Sequence, residues 1–440
     1  MNPQRNRNGR DVGERRTRRA GEEGVGRIDQ ALEALKRGGM IVVVDDEDRE
    51  NEGDFVMAAE KTTADDVNFM TREARGLLCV SLPGDRLEQL GLGLMATTNT
   101  ARHATPFTVS VDLLRGTTTG SSAQDRALTI RALASAKTRP EALARPGHVF
   151  PLKADDQGVL RRPGHTEAAL DLVRLAGLRP AGVLCEILAA DGTMARGPEL
   201  ARLAKKHGLV LITIRDLVRY RYQRERLVKR IAASRLPTRY GTFRIVVYES
   251  PIDGAHHVAL VKGTPAADRA DLVRLHSQCL TGDVFGSMRC DCGEQMITAL
   301  ERIDEEGAGA FLYLRQEGRG IGLANKLRAY ELQDLGLDTV DANVRLGFAP
   351  DQRDYGIAAQ ILRDLGFERV RLLTNNPRKV DALRDYGIEV ERRESIEILP
   401  NAVNERYLRT KRERLGHLLK HPALREAATA HANGRRGRGE

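Results

Sequence analysis

The chain predicts a mixed α/β fold class built as two successive domains, and three observations point to it. Short β-branched runs alternate with helical-period segments from residue 27 onward. The 440 residues exceed what one ordinary core accommodates. The pattern is interrupted near residues 222–238 and then begins again.

The elements follow in order. Residues 1–24 mix Gly, Arg and Glu without periodicity and read as a disordered Arg-rich tail. Ile28, Ala31, Leu32 and Leu35 have helical spacing, which predicts a helix over Arg27–Gly38. Met40–Val44 is a short apolar strand that ends abruptly in acid. Further strands are predicted at Leu77–Val80, Phe107–Val111, Val183–Ile187 and Leu209–Ile214, with helices at Thr166–Leu175 and Pro198–His207. These elements lie in a first domain over residues 25–222. Tyr222–Arg230 is densely charged and Pro237 cannot sit inside a helix, so 223–237 reads as a linker. A second domain, 238–420, opens with a strand at Phe243–Tyr248. It continues with strands at Phe311–Leu314 and Val370–Leu373 and an amphipathic helix at Leu323–Leu335. No internal repeat relates the two halves, and 421–440 is a basic tail.

Composition excludes several classes. An apolar share of 41% with 30% charged residues suits a folded soluble protein. No apolar run is long enough to cross a bilayer, and the Arg-rich start lacks a secretory core, so no membrane partner is expected. Five cysteines, two of them in Cys290-Asp291-Cys292, fit a reducing, cytoplasmic setting better than a disulfide framework. A net charge of +9 favours anionic partners, either phosphorylated metabolites or nucleic acid. Aromatics make up 4% and Trp is absent, so stacking platforms for a single strand are few and nucleic acid is the weaker choice.

Residues 45–54 read Asp-Asp-Glu-Asp-Arg-Glu-Asn-Glu-Gly-Asp, seven carboxylates in ten positions directly after a strand. An EF-hand does not fit: a loop starting at Asp46 puts Asn51 where Gly is needed, and one starting at Asp48 puts Ala59 where a bidentate Glu is needed. A solvated acidic surface and a hard-cation site at a strand end remain. Two later turns, Arg145-Pro-Gly-His148 and Arg162-Pro163-Gly164-His165-Thr166-Glu167, each place an imidazole after Pro-Gly.

These segments, with Gly182-Val-Leu-Cys-Glu186, resemble the 3,4-dihydroxy-2-butanone 4-phosphate synthase family over residues 27–222. The resemblance implies an α+β domain that converts ribulose 5-phosphate to a four-carbon ketone phosphate and formate. It implies that Glu50 and His165 ligate Mg²⁺ or Mn²⁺, and that Arg49, Glu50, Asp54, Arg162, Pro163, Gly164, His165, Thr166 and Glu186 meet the substrate. His148 and Glu186 fall at positions the family treats as essential. The residue chemistry agrees, since enolising a ketose needs a base and a metal that stabilises the enediolate. Ala104-Thr105-Pro106 departs from the family's Gly-Thr before Phe-Thr-Val, and Thr117–Ala123 carries Ser where an aliphatic residue is common.

In the second half, Cys279 is followed by ten residues and then Cys290-x-Cys292. Three thiols on this spacing suit a catalytic zinc with its fourth position open, whereas a structural zinc would need a further ligand, for which His276 is the nearest candidate. Arg315-Gln-Glu317-Gly318-Arg319-Gly-Ile-Gly322 is neither a P-loop nor a dinucleotide fingerprint, yet Gly-rich backbone at a helix start offers N–H groups to phosphate. With Asp338-Thr-Val-Asp-Ala-Asn343, Asp351-Gln-Arg353 and Leu373-Thr-Asn-Asn-Pro377, these motifs are similar to GTP cyclohydrolase II over residues 238–419. The resemblance implies an α/β domain that opens the imidazole ring of GTP with release of formate and diphosphate. It implies Zn²⁺ on Cys279, Cys290 and Cys292 and Mg²⁺ with the GTP phosphates. GTP would meet Arg274, Leu275, His276, Ser277, Gln278, Gln295, Glu317, Gly318, Arg319, Thr339, Thr374 and Lys379. Asp351 would be the general base and Arg353 the nucleophile, although a guanidinium that stays protonated serves more easily as a clamp on phosphate. Gln278 stands where the family has Glu. A homodimer follows from the resemblance alone.

The expected function is therefore a two-headed enzyme supplying both precursors of riboflavin. The alternatives are one active head with the other as scaffold, or an RNA-binding protein acting through its basic ends. Deleting residues 1–24 and 425–440 is expected to leave formate release from both substrates intact. Loss of a tight RNA complex on that deletion would favour the third reading.

Overall fold

The computed structural model describes residues 24, 26–46, 49–266 and 268–421. It divides into two compact units, residues 1–221 and 222–440.

The first unit is built on a mixed seven-stranded sheet. Its strands are β1 Ile41–Val44, β2 Gly53–Ala58, β3 Arg75–Leu82, β4 Val111–Leu113, β5 Leu143–Lys153, β6 Gly182–Ile187 and β7 Val210–Thr213, in the spatial order β4-β5-β3-β6-β2-β1-β7. The helices are α1 over 26–36, α2 Ala64–Glu73, α3 Gly84–Gln89, α4 Ala123–Ala134, α5 His165–Leu175, α6 Gly197–His207 and α7 Ile214–Arg224. Every residue of β1 and β2 is buried, as continuous apolar runs require when a sheet is covered on both faces. Local chemistry starts and stops the helices. Thr63 and Asp66 form a reciprocal capping box on α2, Ser122 caps α4, and Gly208 closes α6 in the left-handed region at φ 64°. α5 packs against β6, β3 and β2, which carries its N-terminal His165 to the sheet.

The second unit also has a seven-stranded sheet. Its strands are β8 Lys229–Thr238, β9 Gly241–Glu249, β10 His256–Lys262, β11 Asp271–Ser277, β12 Gly309–Leu314, β13 Arg369–Leu373 and β14 Glu389–Glu394, in the order β14-β13-β11-β12-β10-β9-β8. Strands β8, β9, β10 and β12 pair antiparallel, whereas β12, β11, β13 and β14 run parallel. The helices are α8 Leu280–Asp283, α9 Cys292–Glu306, α10 Gly322–Asp334, α11 Thr339–Arg345, α12 Gly356–Leu365, α13 Pro377–Asp385 and α14 Glu405–Leu415. Cys279, Glu317, Thr374 and the α9 N-terminus all follow the carboxyl ends of β11, β12 and β13, where open parallel sheets gather ligand-binding loops.

Three expectations change. Residues 229–237, read as linker, form most of β8 and pair with β9; Pro237 is tolerated because β8 is an edge strand. The strand expected at Phe107–Val111 is reduced to isolated bridges at Phe107 and Thr108, with β4 starting only at Val111. Its neighbour Pro151 has no N–H to give, so pairing there consists of Thr108 donating to the Pro151 carbonyl. α10 exists, but its apolar stripe does not face a core: Leu323 and Leu327 are exposed while Lys326 and Ala329 are buried. Ala104 occupies the left-handed region at φ 51°, where the family resemblance has Gly-Thr. No described helix is long and apolar enough to cross a membrane. The tails at 1–23 and 422–440, and Glu47 and Asp48 of the acid loop, lie outside the described residues.

Phe55 is fully buried between β1 and β6 and meets the Phe69 ring at 5.4 Å. Phe55→Ala is expected to destabilise the first unit by about 3–5 kcal/mol, read from chemical denaturation.

Candidate active sites

In the first unit the acid loop connects antiparallel β1 and β2, and a buried carboxylate holds it. Asp45 accepts from Arg49 Nη1 at 2.9 Å, from the Glu50 amide at 3.1 Å and from the Glu52 amide at 2.8 Å. Its oxygens are thus spent on shaping the loop. Arg49 Nη2 also pairs with Glu50 Oε1 at 2.9 Å. Ligand atoms of Asp45, Glu50 and His165 lie within 4.8 Å of one another. His165 is buried and its Nε2 has no hydrogen-bond partner, an orphan that a metal would satisfy. Burial lowers the pKa of this imidazole, against the pull of Asp45 and Glu50, so it is neutral and able to ligate.

Arg162, Pro163 and Gly164 form the turn that delivers His165. Arg162 Nη1 pairs with buried Glu167 at 2.7 Å, and Gly164 is hemmed in by Arg162, Glu167 and Arg49. The Thr166 carbonyl accepts from Ser81 Oγ at 2.6 Å, tying α5 to β3. Asp54 on β2 lies directly opposite Glu186 on β6. Burial, then Glu186, Glu50 and Glu52, push the Asp54 carboxyl well above the usual range, while Glu186 is exposed.

His148 belongs to a second group. Its Nδ1 meets Asp112 Oδ2 at 2.7 Å and its amide donates to Asp112 Oδ1 at 2.9 Å. With Nδ1–H facing the carboxylate, Nε2 is presented as an acceptor. Gly120, at φ 89°, allows this pair: a Cβ there would lie 2.0 Å from Asp112 Oδ2. Asp112 was not foreseen in the sequence, because a single Asp on a three-residue strand carries no spacing signal.

In the second unit the thiols of Cys279, Cys290 and Cys292 lie within 4.8 Å of one another, with Cys279 and Cys290 at 3.7 Å. They come from the end of β11, the turn before α9 and its first residue. Gly282 makes room for them; a Cβ would fall 2.8 Å from Cys290 Sγ. Hydrogen bonds from the other two thiols, then Lys326 at 3.1 Å, drive the Cys279 pKa well down, and the hydrogen bond with Cys279 pushes Cys290 up to about 11. His276, the candidate fourth ligand, is not in this group. It stacks on Phe311 and Tyr313, and its Nε2 meets Asp283 at 3.0 Å.

The thiols open onto a solvent-open cleft lined by Arg274, Arg319, Lys326, Arg353, Lys379 and Lys411, with Glu317 the carboxylate facing them. His276, Ser277, Gln278, Gln295, Gly318, Thr339 and Thr374 line it too, whereas the Leu275 side chain is in the core and its carbonyl accepts from Lys379 at 2.7 Å. Glu317 is internally occupied, accepting from Lys326 at 2.8 Å and from the Leu280 amide at 2.7 Å. Gly318 and Arg319 are successive left-handed residues, at φ 62° and 63°. Both terminal nitrogens of Arg319 are buried and unpartnered, and strain with an orphaned cation marks a ligand position.

Arg353 is gripped by both oxygens of Asp351, at 2.8 and 2.6 Å. Burial alone would raise the Asp351 carboxyl, but Arg353 outweighs it and holds the acid below its usual range; Arg353 itself is pushed further up. This guanidinium stays charged. Burial, then Arg274 and Arg353, push Lys379 well below its ordinary value. Tyr407, Lys411 and His417 also reach the cleft, and His417 is lowered to about 2 by burial and then by Lys411 and Arg353. None of these, nor Lys326, was foreseen: each is an ordinary residue of a helical or terminal stretch, recruited only by packing.

Residues 29–220 match the family model described as 3,4-dihydroxy-2-butanone 4-phosphate synthase, and residues 229–395 the one described as GTP cyclohydrolase II. A riboflavin biosynthesis protein RibBA from Chlorobium phaeovibrioides is 56% identical over 393 residues, 89% of this chain and 96% of that protein. Its counterpart from Aquifex aeolicus is 55% identical over 394 residues, 89% of this chain and 97% of that protein. The crystal structure of RibBX from A. baumannii, described as a two-domain 3,4-dihydroxy-2-butanone 4-phosphate synthase, matches at a TM-score of 0.65 and 37% identity, covering 84% of this chain and 99% of that one. The chain belongs to the RibBA family of riboflavin biosynthesis proteins, a 3,4-dihydroxy-2-butanone 4-phosphate synthase domain followed by a GTP cyclohydrolase II domain.

Proposed function

We propose that each unit is a complete chemical head with its own metal, the first taking Mg²⁺ or Mn²⁺ and the second Zn²⁺. The chain is a bifunctional enzyme of riboflavin biosynthesis. Its first half converts ribulose 5-phosphate to 3,4-dihydroxy-2-butanone 4-phosphate and formate. Its second converts GTP to 2,5-diamino-6-ribosylamino-pyrimidinone 5′-phosphate, formate and diphosphate. One observation carries the assignment of metals: a carboxylate–imidazole donor set lies in one unit and a three-thiol set in the other.

In the first head Glu50 and His165 would hold the dication, whose chemistry is to stabilise negative charge on the enolised ketose. Asp54, its carboxyl pushed up by burial and by Glu186, lies opposite Glu186, and the two carboxyls are the candidates for moving protons on the ketose. His148, oriented by Asp112, serves as a base through Nε2. Arg49, Arg162 and the backbone at the start of α5, which has no side-chain cap, suit the sugar phosphate.

In the second head Cys279, Cys290 and Cys292 would hold zinc, which supplies the Lewis acidity that activates water toward the imidazole carbon of GTP. Arg274, Arg319, Arg353 and Lys379, with the Thr339 and Thr374 hydroxyls, suit the triphosphate, whose charge Mg²⁺ would share. Asp351 fixes Arg353 as a clamp, because a guanidinium held by two charge-assisted hydrogen bonds does not shed a proton to become a nucleophile. A reading with one active head draws on the RibBX likeness, but the thiol cluster at a cation-lined cleft supports a working second head. We take the assembly to be a homodimer, in which exposed Val284, Phe285 and Met288 are apolar surface available for burial.

Cys290→Ser is expected to abolish formate release from GTP and to lose about one zinc per chain. Formate release from ribulose 5-phosphate with Mg²⁺ should persist; its absence in the wild type would refute bifunctionality. Asp112→Asn is expected to cut turnover of ribulose 5-phosphate by roughly 100-fold or more, with GTP turnover unchanged, because the imidazole loses its orienting carboxylate.

A further inference from the structure

The match to the cyclohydrolase II family model ends at residue 395, and α14 lies beyond it. Yet α14 and the segment just after it are fastened to the second site at several points. Arg414 pairs with Asp341 at 2.9 Å and with Asp338, next to Thr339. The Leu418 amide donates to the Asn375 carbonyl at 2.8 Å. The innermost tie is Lys411, whose ammonium donates to Asp291 Oδ1 at 2.6 Å and lies 4.6 Å from the Tyr407 ring centroid.

Asp291 is the residue between two of the thiols. Its second oxygen accepts from Gln295 Nε2 at 2.7 Å, and Gln295 Oε1 accepts from Arg274 Nη2 at 2.6 Å. Arg274 Nη1 ends the chain on the Leu373 carbonyl at 2.9 Å, leaving its buried Nε unpartnered at the cleft. Asp291, Gln295 and Arg274 are all buried. The relay therefore has one anion, with a cation at each end. Removing Lys411 takes the paired cation away from buried Asp291.

We propose that Lys411 is a positioning residue of the second head, holding the Cys290–Cys292 turn and Arg274 in register through the relay Lys411–Asp291–Gln295–Arg274. The proposal rests on the cyclohydrolase reading. It extends the working site to α14, the last described helix, which becomes a part of the zinc and GTP machinery. Lys411 itself touches neither thiol.

The test measures zinc loss to a chelator together with the KM and kcat for GTP, using full-length Lys411→Met and Lys411→Arg. Formate release from ribulose 5-phosphate serves as the control for intact protein. Lys411→Met is expected to lose zinc about tenfold faster or more and to raise the KM for GTP by about tenfold, whereas Lys411→Arg stays within about threefold of wild type. Should Lys411→Met fail to fold, Asp291→Asn/Lys411→Met removes that ion pair together and avoids a buried Asp291 stripped of its cation. Continued zinc loss and a raised KM in that double variant support the relay. Zinc retention and KM within about twofold of wild type, in either variant, overturn it. A wild-type chain that binds no zinc and releases no formate from GTP sinks the cyclohydrolase reading instead.

Discussion

Crowding of like charge is the constraint under which both sites are built. The first collects carboxylates at one end of β1 and β2; the second collects guanidinium and ammonium groups around a cleft. Left unbalanced in a part-buried setting, either arrangement would open its loop to water. Each is held by a buried acid whose hydrogen bonds are all internal. Asp45 ties the acid loop to its own backbone amides and to Arg49. Asp291 joins Lys411 to Gln295 between two thiols.

The same constraint divides labour among neighbouring groups. Of the facing pair Asp54 and Glu186, the buried one is pushed well above the usual carboxyl range and the exposed one stands in solvent. Of the three thiols, Cys279 is the one drawn down, because the other two thiols and then Lys326 point at it. Arg353 is pinned by Asp351, whereas Arg319 is held in a strained backbone conformation with its nitrogens unspent. Groups already paired serve to position; groups left unpaired are where a ligand can make up the difference.

Much of this was legible in the chain. The strand–helix alternation, the break between halves, the acid loop, both Pro-Gly-His turns and the three cysteines are local patterns, each within a few dozen residues. The structure brings Glu50 and His165 together as the motif resemblance implied, and the three thiols likewise. The expectations that failed did so for physical reasons. Pro237 and a charged run looked like a linker, but an edge strand tolerates both. Leu323–Leu335 read as an amphipathic helix, whereas α10 leaves Leu323, Leu327 and Leu335 exposed and turns Lys326 inward to a polar cleft.

The sequence by itself determined which chemistries are present, because metal preference follows from donor type and donor type is written residue by residue. Only tertiary structure decided which groups are partnered. Asp112 became the orienting partner of His148 because β4 pairs with β5 and Gly120 leaves room for both. His276 was removed from the thiol cluster by stacking on Phe311 and Tyr313. Lys411, 120 residues from Asp291, entered the second site because α14 is laid across it. A hydrogen bond between residues so far apart leaves no periodicity in the chain; it depends on packing that every intervening element helps to set.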